Sequence, residues 1–505
     1  MIAIDGSTGI LLAIGIPLIV TLFIAAFSRM PNLRDASSVI AAVLTFLVVL
    51  DLLGMVNAGQ TPSVSLFEVM PGLVISFSIE PLGMIFALVA SGLWIPAAIY
   101  SIGYMRAENE RHLTRFNICY ALAISAAIGI AFSANLFTLF IFYEVLTVST
   151  YPLVAHKQTD EARRGARTYL AILMSTSILF LLTAIIWTWS ATGTLDFQPG
   201  GFIAGHVDPA LVPVLLALFA FGIGKAALMP FHRWLPSAMV APTPVSALLH
   251  AVAVVKAGVF TMLKVGVYVF GVDYLSQTDA SQWLVWLASA SILIASIIAL
   301  TKDDLKARLA YSTVSQLSYI TLGMAMATQM GIIGGTMHIV THAIGKITLF
   351  MCAGAIYVAT HKKKVSELDG LGREMPFTFI AFTIASISII GLPPFAGAWS
   401  KMYLMLGAAN SGQLALIGVL LVSSLLNIAY LMPIVARGFF APSPVAAHSL
   451  GAAAADDGKR WREAPFLCVL PLCLTALLCI LLVFEIGPLY EFLLHIPILP
   501  EVPTP

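Results

Sequence analysis

Apolar stretches of about twenty residues recur almost from end to end of this chain, and each is long enough to cross a bilayer as a helix. They fall near 9–27, 38–56, 78–103, 116–133, 135–155, 167–190 and 210–229, then near 243–270, 283–301, 309–328, 331–359, 376–407, 414–436 and 465–487. The sequence therefore predicts an all-α integral membrane protein with about 14 transmembrane helices. Only 10% of the 505 residues are charged, against about 25% in a soluble domain, so a soluble enzyme is excluded. A formal net charge of +1 leaves no basic face for nucleic acid. The runs are too long and too uniformly apolar for the alternating strands of a closed β-barrel. No Lys or Arg precedes the first stretch near Gly9, which reads as a retained span and not as a cleaved signal.

The basic residues set the orientation, because cytoplasmic loops collect Lys and Arg. Arg29 and Arg34 follow the first span, and Arg106, Arg111 and Arg115 follow the third. Lys157, Arg163, Arg164 and Arg167 follow the fifth, Arg233 the seventh, and Lys302, Lys306 and Arg308 the ninth. Lys362, Lys363, Lys364 and Arg373 follow the eleventh, and Arg437, Lys459, Arg460 and Arg462 the thirteenth. The even-numbered loops and both termini carry none, so both termini are expected on the non-cytoplasmic side. A miscounted span would have thrown this alternation out of phase.

Those loops account for 21 of the 26 basic residues. The five that remain, Lys225, Lys256, Lys264, Lys346 and Lys401, lie within spans, where each costs about 2.5–3.5 kcal/mol at a helix centre. Lys264 is within two turns of its helix end and is open to snorkelling. Glu144 is the one acid in the middle of a span; Glu80, at the start of the third, reads as interfacial. A lysine buried alone sheds its proton more readily, and a nearby carboxylate holds that proton in place. Such groups are suited to loading and releasing protons. His338, His342 and Lys346 stand at i, i+4 and i+8 and read as a row on one helix face. HxxxH can also bind zinc, but the third member here is a cation and no Cys or carboxylate joins it, so no metal is expected. His250 precedes Lys256 by six residues and faces another direction, with water as the only link. The five cysteines form no CxxC pair and read as packing residues, so no haem, iron–sulfur or other cofactor is expected. GIGKA at Lys225 and AIGKI at Lys346 lack the first glycine and the Ser/Thr of a phosphate loop.

Prolines interrupt the spans beside these lysines. Met229-Pro230 ends the seventh span after Lys225, Pro242 and Pro244 open the eighth, and GLPPFAGAWSK places Pro393 and Pro394 ahead of Lys401. Unpaired backbone at membrane depth belongs beside a cavity or buried in protein, and breaks at matching places in two halves point to inverted repeats. The expected organisation is spans 1–3 over residues 1–115 and a first five-helix repeat over 116–282. A second repeat, with broken helices 7 and 12 as counterparts, covers 283–440, and a cytoplasmic loop and last span cover 441–505. Asp456, Asp457, Lys459 and Arg460 fall in that loop, where no chemistry is expected. Gln316 and Asn427 stand where the second repeat would carry the counterparts of Glu144 and Lys256.

FIFYEVLTVSTYPLVAH around Glu144, the string KAALMPFHRWLPSAMVAPTPVSALLHAVAVVKAG from Lys225 to Gly258, DLKARLAYSTVSQLSYI and HIVTHAIGKITLF resemble the proton-translocating, antiporter-like subunits. These include the membrane-arm subunits of complex I, related hydrogenase subunits, and members of the Mrp-type cation/proton antiporters. EPLGMIFALVASGLW and AMVAPTPVSALLHA look closest to the D-type member of the Mrp antiporters. The resemblance implies that Glu144 pairs with Lys225, that Lys256 continues a hydrated path at the midplane, and that His338 and His342 lead toward Lys401. It implies a multi-pass protein of the cell inner membrane, with other hydrophobic subunits as partners and protons and a monovalent cation, sodium foremost, as cargo. Chemistry of its own is not expected. The alternatives are a proton-pumping arm component of a complex I-like or hydrogenase redox complex, a stand-alone proton-coupled solute carrier, and a membrane scaffold.

Overall fold

A computed structural model describes residues 5–442 and 461–498; Asp456, Asp457, Lys459 and Arg460 lie outside the described residues. The chain opens with α1 (Gly6–Ala26) and α2 (Pro31–Asn57), followed by an antiparallel hairpin of β1 (Ser63–Met70) and β2 (Leu73–Ser78). Next come α3 (Pro81–Ala107), α4 (Leu113–Phe132), α5 (Leu136–Val154), α6 (Asp160–Thr192) and α7 (Val212–Gly222). They are followed by α8 (Thr243–Phe270), α9 (Gln282–Thr301), α10 (Leu305–Ala325) and α11 (Gln329–Thr360). The last are α12 (Pro376–Ile390), α13 (Ala396–Asn410), α14 (Leu414–Phe440), α15 (Phe466–Leu481) and α16 (Ile486–Leu493).

Among the described residues ten helices, α1 to α6, α8, α9, α11 and α14, are long and apolar enough to cross a membrane, and α15 with α16, meeting at 72°, makes an eleventh candidate. Three expected spans correspond to less regular pieces. α7 and α12 have 11 and 15 residues, because each stops at a break. α10 has 21 residues but carries Lys306, Arg308 and a run of Ser and Thr. Short polar side chains define several helix starts by accepting a first-turn amide: Glu80, Asn135, Thr159, Asp304 and Thr328 all do so.

Lipid-facing charge is costly, so helices that carry it belong inside. The apolar window of α8, with His250, Lys256 and Lys264 on its helix, is 100% buried and that of α11 is 94% buried, whereas α2, α6 and α14 are buried over 33%. The polar helices therefore form the axis around which the apolar ones pack. Two features were not anticipated. The hairpin fills the second loop and is tied to the start of α5, where Asn135 Nδ2 donates to Val74 O at 2.9 Å. Three π-helical turns, Ser177–Leu181, Leu248–Val252 and Gly266–Phe270, widen α6 and α8; such turns recur at functional sites.

A pH response follows from the loop after α5. His156 is buried, its ring packs edge-on against Phe116 with centroids 5.6 Å apart, and neither ring nitrogen has a hydrogen-bond partner among the described residues. Its Nε2 lies 3.7 Å from Glu110, yet burial, with Arg115 adding to it, holds the imidazole down at about 4, so at neutral pH this contact is not an ion pair. A histidine whose folded value lies below its usual value of about 6.5 leaves stability whole above that value and erodes it as pH falls toward the folded value. Thermal unfolding in detergent is thus expected to shift to lower temperature between about pH 6.5 and 4, with a smaller shift for His156→Gln. Equal shifts in the two proteins would count against this account.

Candidate functional site

The broken helices put backbone and lysines together. α7 ends at Gly222, and Lys225 sits in a single 3₁₀ turn, Gly224–Ala226, inside the break. The carbonyl of Gly224 accepts the backbone N–H of Ala227 at 3.0 Å and Trp234 Nε1 at 2.9 Å. α12 ends at Gly391, whose φ of +81° a residue with a side chain adopts only at a cost. The freed carbonyl of Ile390 accepts Lys401 Nζ at 2.8 Å. Each break is thus satisfied from within the protein, as membrane depth requires.

Lys225 is fully buried. Its Nζ donates to Tyr143 O at 2.8 Å and to Thr147 Oγ1 at 2.6 Å, and stands 3.1 Å above the Tyr143 ring. Its backbone N–H donates to Tyr143 Oη at 3.1 Å. The expected ion pair with Glu144 is not formed: among the described residues no carboxylate oxygen lies within 4.0 Å of Lys225 Nζ. Both Glu144 oxygens are buried and accept no hydrogen bond among the described residues. Glu144 sits one position away from Tyr143, so a helix step of about 100° turns it off the Lys225 side.

Lys256 Nζ and His342 Nδ1 share a short hydrogen bond between α8 and α11. The His342 ring stacks on His338 with centroids 5.8 Å apart, and His338 stacks on Tyr319 at 5.4 Å. His338 bonds Ser400 Oγ through Nδ1 and Gln316 Oε1 through Nε2, both at 3.0 Å. Asn427 is satisfied with its nitrogen toward Tyr430 Oη and Ser423 O; its oxygen then accepts from Gln316 Nε2 at 3.0 Å and from Lys401 Nζ at 3.2 Å. Lys401 Nζ also donates to Ser424 Oγ at 3.1 Å. Lys256, His342, His338, Gln316, Asn427 and Lys401 therefore form one line across α8, α11, α10, α14 and α13.

Three other expectations require correction. Lys346 does not continue the histidine row. Steps of four residues drift by about 40° each, so over eight residues Lys346 turns away and donates to Ser312 Oγ at 2.7 Å and Leu309 O at 3.3 Å. Lys264 does not snorkel. It is buried, with Nζ 2.7 Å from Glu80 Oε1 and 2.8 Å from Ser133 O, because Glu80 before α3, Ser133 at the end of α4 and the Phe197 ring close around it. Glu80 is accordingly an ion-pair partner and a helix cap, Oε2 accepting Gly83 N at 2.8 Å, and not merely interfacial. His250 lies in the Leu248–Val252 turn against Phe350, centroids 4.5 Å apart, and neither of its ring nitrogens has a partner among the described residues.

Tyr143, Thr147, Ser312, Tyr319, Ser400 and Tyr430 were missed. For Ser312 and Tyr319 the run YSTVSQLSY in α10, with hydroxyls at six of its nine positions, was the available signal.

Residues 133–427 match the family described as "NADH:quinone oxidoreductase/Mrp antiporter, TM". This chain belongs to that family. It is 32% identical over 380 residues to NADH-quinone oxidoreductase subunit N of Desulforudis audaxviator, with 73% of this chain and 74% of that protein covered. It is 31% identical over 336 residues to the A/B component of the probable K(+)/H(+) antiporter of Rhizobium meliloti, with 65% of this chain but only 32% of that much longer protein covered. A chain in the structure of the Mrp complex from Dietzia sp. DQ12-45-1b has the same fold, with a TM-score of 0.84, 21% identity, and 97% of both chains covered. The family member described here is a multi-pass integral membrane protein.

Proposed function

We propose that this family member is the proton-translocating subunit of a multisubunit monovalent cation/proton antiporter. The observation that carries the reading is the buried row of Lys256, His342 and His338, which ends at the Ser400 hydroxyl next in sequence to Lys401, with the amides of Gln316 and Asn427 holding His338 and Lys401 in place. Buried ionisable groups arranged in sequence at membrane depth serve proton relays. Lys225 loads a proton at the α7 break. When the carboxylate of Glu144 is distant, that proton passes on toward Lys256, with His250 beside the route. The proton then leaves by way of Lys401, with Lys346 on the far side of Asn427. The likeness to a component of a K(+)/H(+) antiporter supports the exchange of a monovalent cation; sodium is our choice for it.

The rest of the proposal is architectural. Of fourteen spans, ten form two inverted five-helix repeats, 116–282 and 283–440, following spans 1–3 in 1–115 and followed by a loop and last span in 441–505. The breaks at Lys225 and Lys401 support this pairing, and so does the arrangement of Gln316 and Asn427 around Lys401. The basic loops support an inner-membrane location with both termini outside. Glu144 lies beside exposed Val145 and Val148 on α5, a face suited to another hydrophobic subunit.

The relation to NADH-quinone oxidoreductase subunit N favours a second reading, a proton-pumping arm component of a redox complex. Purification of the assembly in mild detergent, followed by reconstitution, separates the two. An imposed sodium or potassium gradient is expected to drive proton movement without redox proteins in the preparation. Proton movement that requires co-purifying redox proteins and an electron donor would overturn the antiporter reading.

A further inference from the structure

Lys346 and Lys401 are joined by an unbroken set of hydrogen bonds. Lys346 Nζ reaches Ser312 Oγ at 2.7 Å, Ser312 Oγ reaches Tyr430 Oη at 2.7 Å, and Tyr430 Oη meets the Asn427 amide at 2.5 Å. Lys401 Nζ lies 3.2 Å from the other end of that amide. All these residues are buried, Ser312, Lys346, Tyr430 and Asn427 completely. The set leads toward the basic-loop side, where Arg308 Nη1 donates to Tyr430 O at 3.1 Å and Arg308 Nε to Lys302 O at 2.8 Å. If every member could pass a proton, a proton on Lys401 would have a way back as far as Lys346, whose Nζ also donates to Leu309 O, next in sequence to Arg308.

One member is chemically unlike the rest. Serine and tyrosine hydroxyls both donate and accept, so either can take a proton on one side and give one up on the other. An amide has its acceptor and its donors on different atoms. The Asn427 oxygen accepts from Lys401 and Gln316, and its nitrogen donates to Tyr430 Oη and Ser423 O. A proton crossing it would have to bind the oxygen while another left the nitrogen, which yields the high-energy imidic acid. Hydrogen-bond order crosses this residue, but protons do not.

We propose that Asn427 is a proton insulator: a positioning residue that holds Lys401 and Gln316 beside the end of the exit line while closing a return path through Tyr430 and Ser312 to Lys346. The inference rests on the proton-translocating reading above. It leaves Lys346 as a buried amine, held by Ser312 and Leu309, that exchanges no protons with the line.

The test uses the whole reconstituted assembly and reads proton uptake under an imposed membrane potential with no cation gradient. A carboxylate takes a proton from Lys401 Nζ on one oxygen and gives it up toward Tyr430 Oη from that oxygen after rotation, so Asn427→Asp is expected to raise this leak by about tenfold. Adding Tyr430→Phe, which removes the hydroxyl that receives the proton, is expected to return it to the wild-type level. Should Asn427→Asp fail to assemble, Asn427→His carries the same expectation, since imidazole has a donor and an acceptor nitrogen. No added leak in an assembled variant that still exchanges cations, or a leak that survives Tyr430→Phe, overturns the insulator. A wild-type assembly that moves no protons against a cation gradient overturns the functional reading itself, a different result.

Discussion

Replacing Lys225 with alanine is expected to abolish cation-driven proton movement, with a loss of at least about 100-fold, while the assembly still forms. The side chain is wholly enclosed, and its ammonium is held by one carbonyl, one hydroxyl and the face of Tyr143. That arrangement suits a group that is charged at one stage and neutral at another, since among the described residues no carboxylate stands within 4.0 Å to lock the charge in place. Two further substitutions separate proton chemistry from packing. Lys225→Met keeps the length without the charge; replacing a buried charge with an apolar side chain of similar volume is often neutral or stabilising. It is expected to hold or raise thermal stability and still to be inactive. Lys225→Arg keeps the charge but does not release its proton in a protein, and should be inactive as well. Dye-reported acidification of vesicles, beside native-gel assembly, measures all three. Exchange at the wild-type rate in Lys225→Ala would remove Lys225 from the pathway.

Gly258→Val is expected to be nearly as damaging, although residue 258 has no polar side chain. A Cβ at this position would press into the backbone nitrogen of Ala226 and the carbonyl carbon of Lys225, closer than real contacts allow. Both are backbone atoms of the break, so relief requires moving the turn that carries Lys225 and not merely turning a side chain. Misplacing a working group by about 1 Å costs on the order of 100-fold in rate, and overpacking costs about 1–3 kcal/mol in stability. Gly258→Ala should show a milder form of the same loss. Gly418, in α14 with nothing within 4 Å of its Cβ position, provides the control: Gly418→Val should assemble and exchange as the wild type does. Full exchange in Gly258→Val would mean that the break tolerates displacement, and the close packing of α8 against it would lose its functional meaning.

Much of the site was legible because a membrane makes charge conspicuous. Lys225, Lys256, Lys346 and Lys401 stand out by subtraction once the basic loops are assigned, and prolines mark both breaks. Gln316 and Asn427 were noticed at their repeat positions, although neither is ionisable. The hydroxyl partners were not noticed, because Ser, Thr and Tyr are cheap enough in a helix interior that their presence says little alone. Ser312 matters only because Tyr430 and Lys346, 118 and 34 residues away in sequence, reach it.

By itself, the order of residues determined that the chain lies in a bilayer, how its basic loops alternate, where its helices break and which ionisable groups are carried at depth. Each of these depends on transfer free energy or on proline and glycine geometry, which are local. The tertiary structure decided what each of those groups touches. Lys225 rests on Tyr143 without touching Glu144, Lys264 finds Glu80, and Lys346 leaves the histidine row for Ser312. The physical reason is that one residue step turns a helix by about 100°, so a small change in how helices pack determines which neighbour a side chain meets, and no pattern along one helix contains that angle.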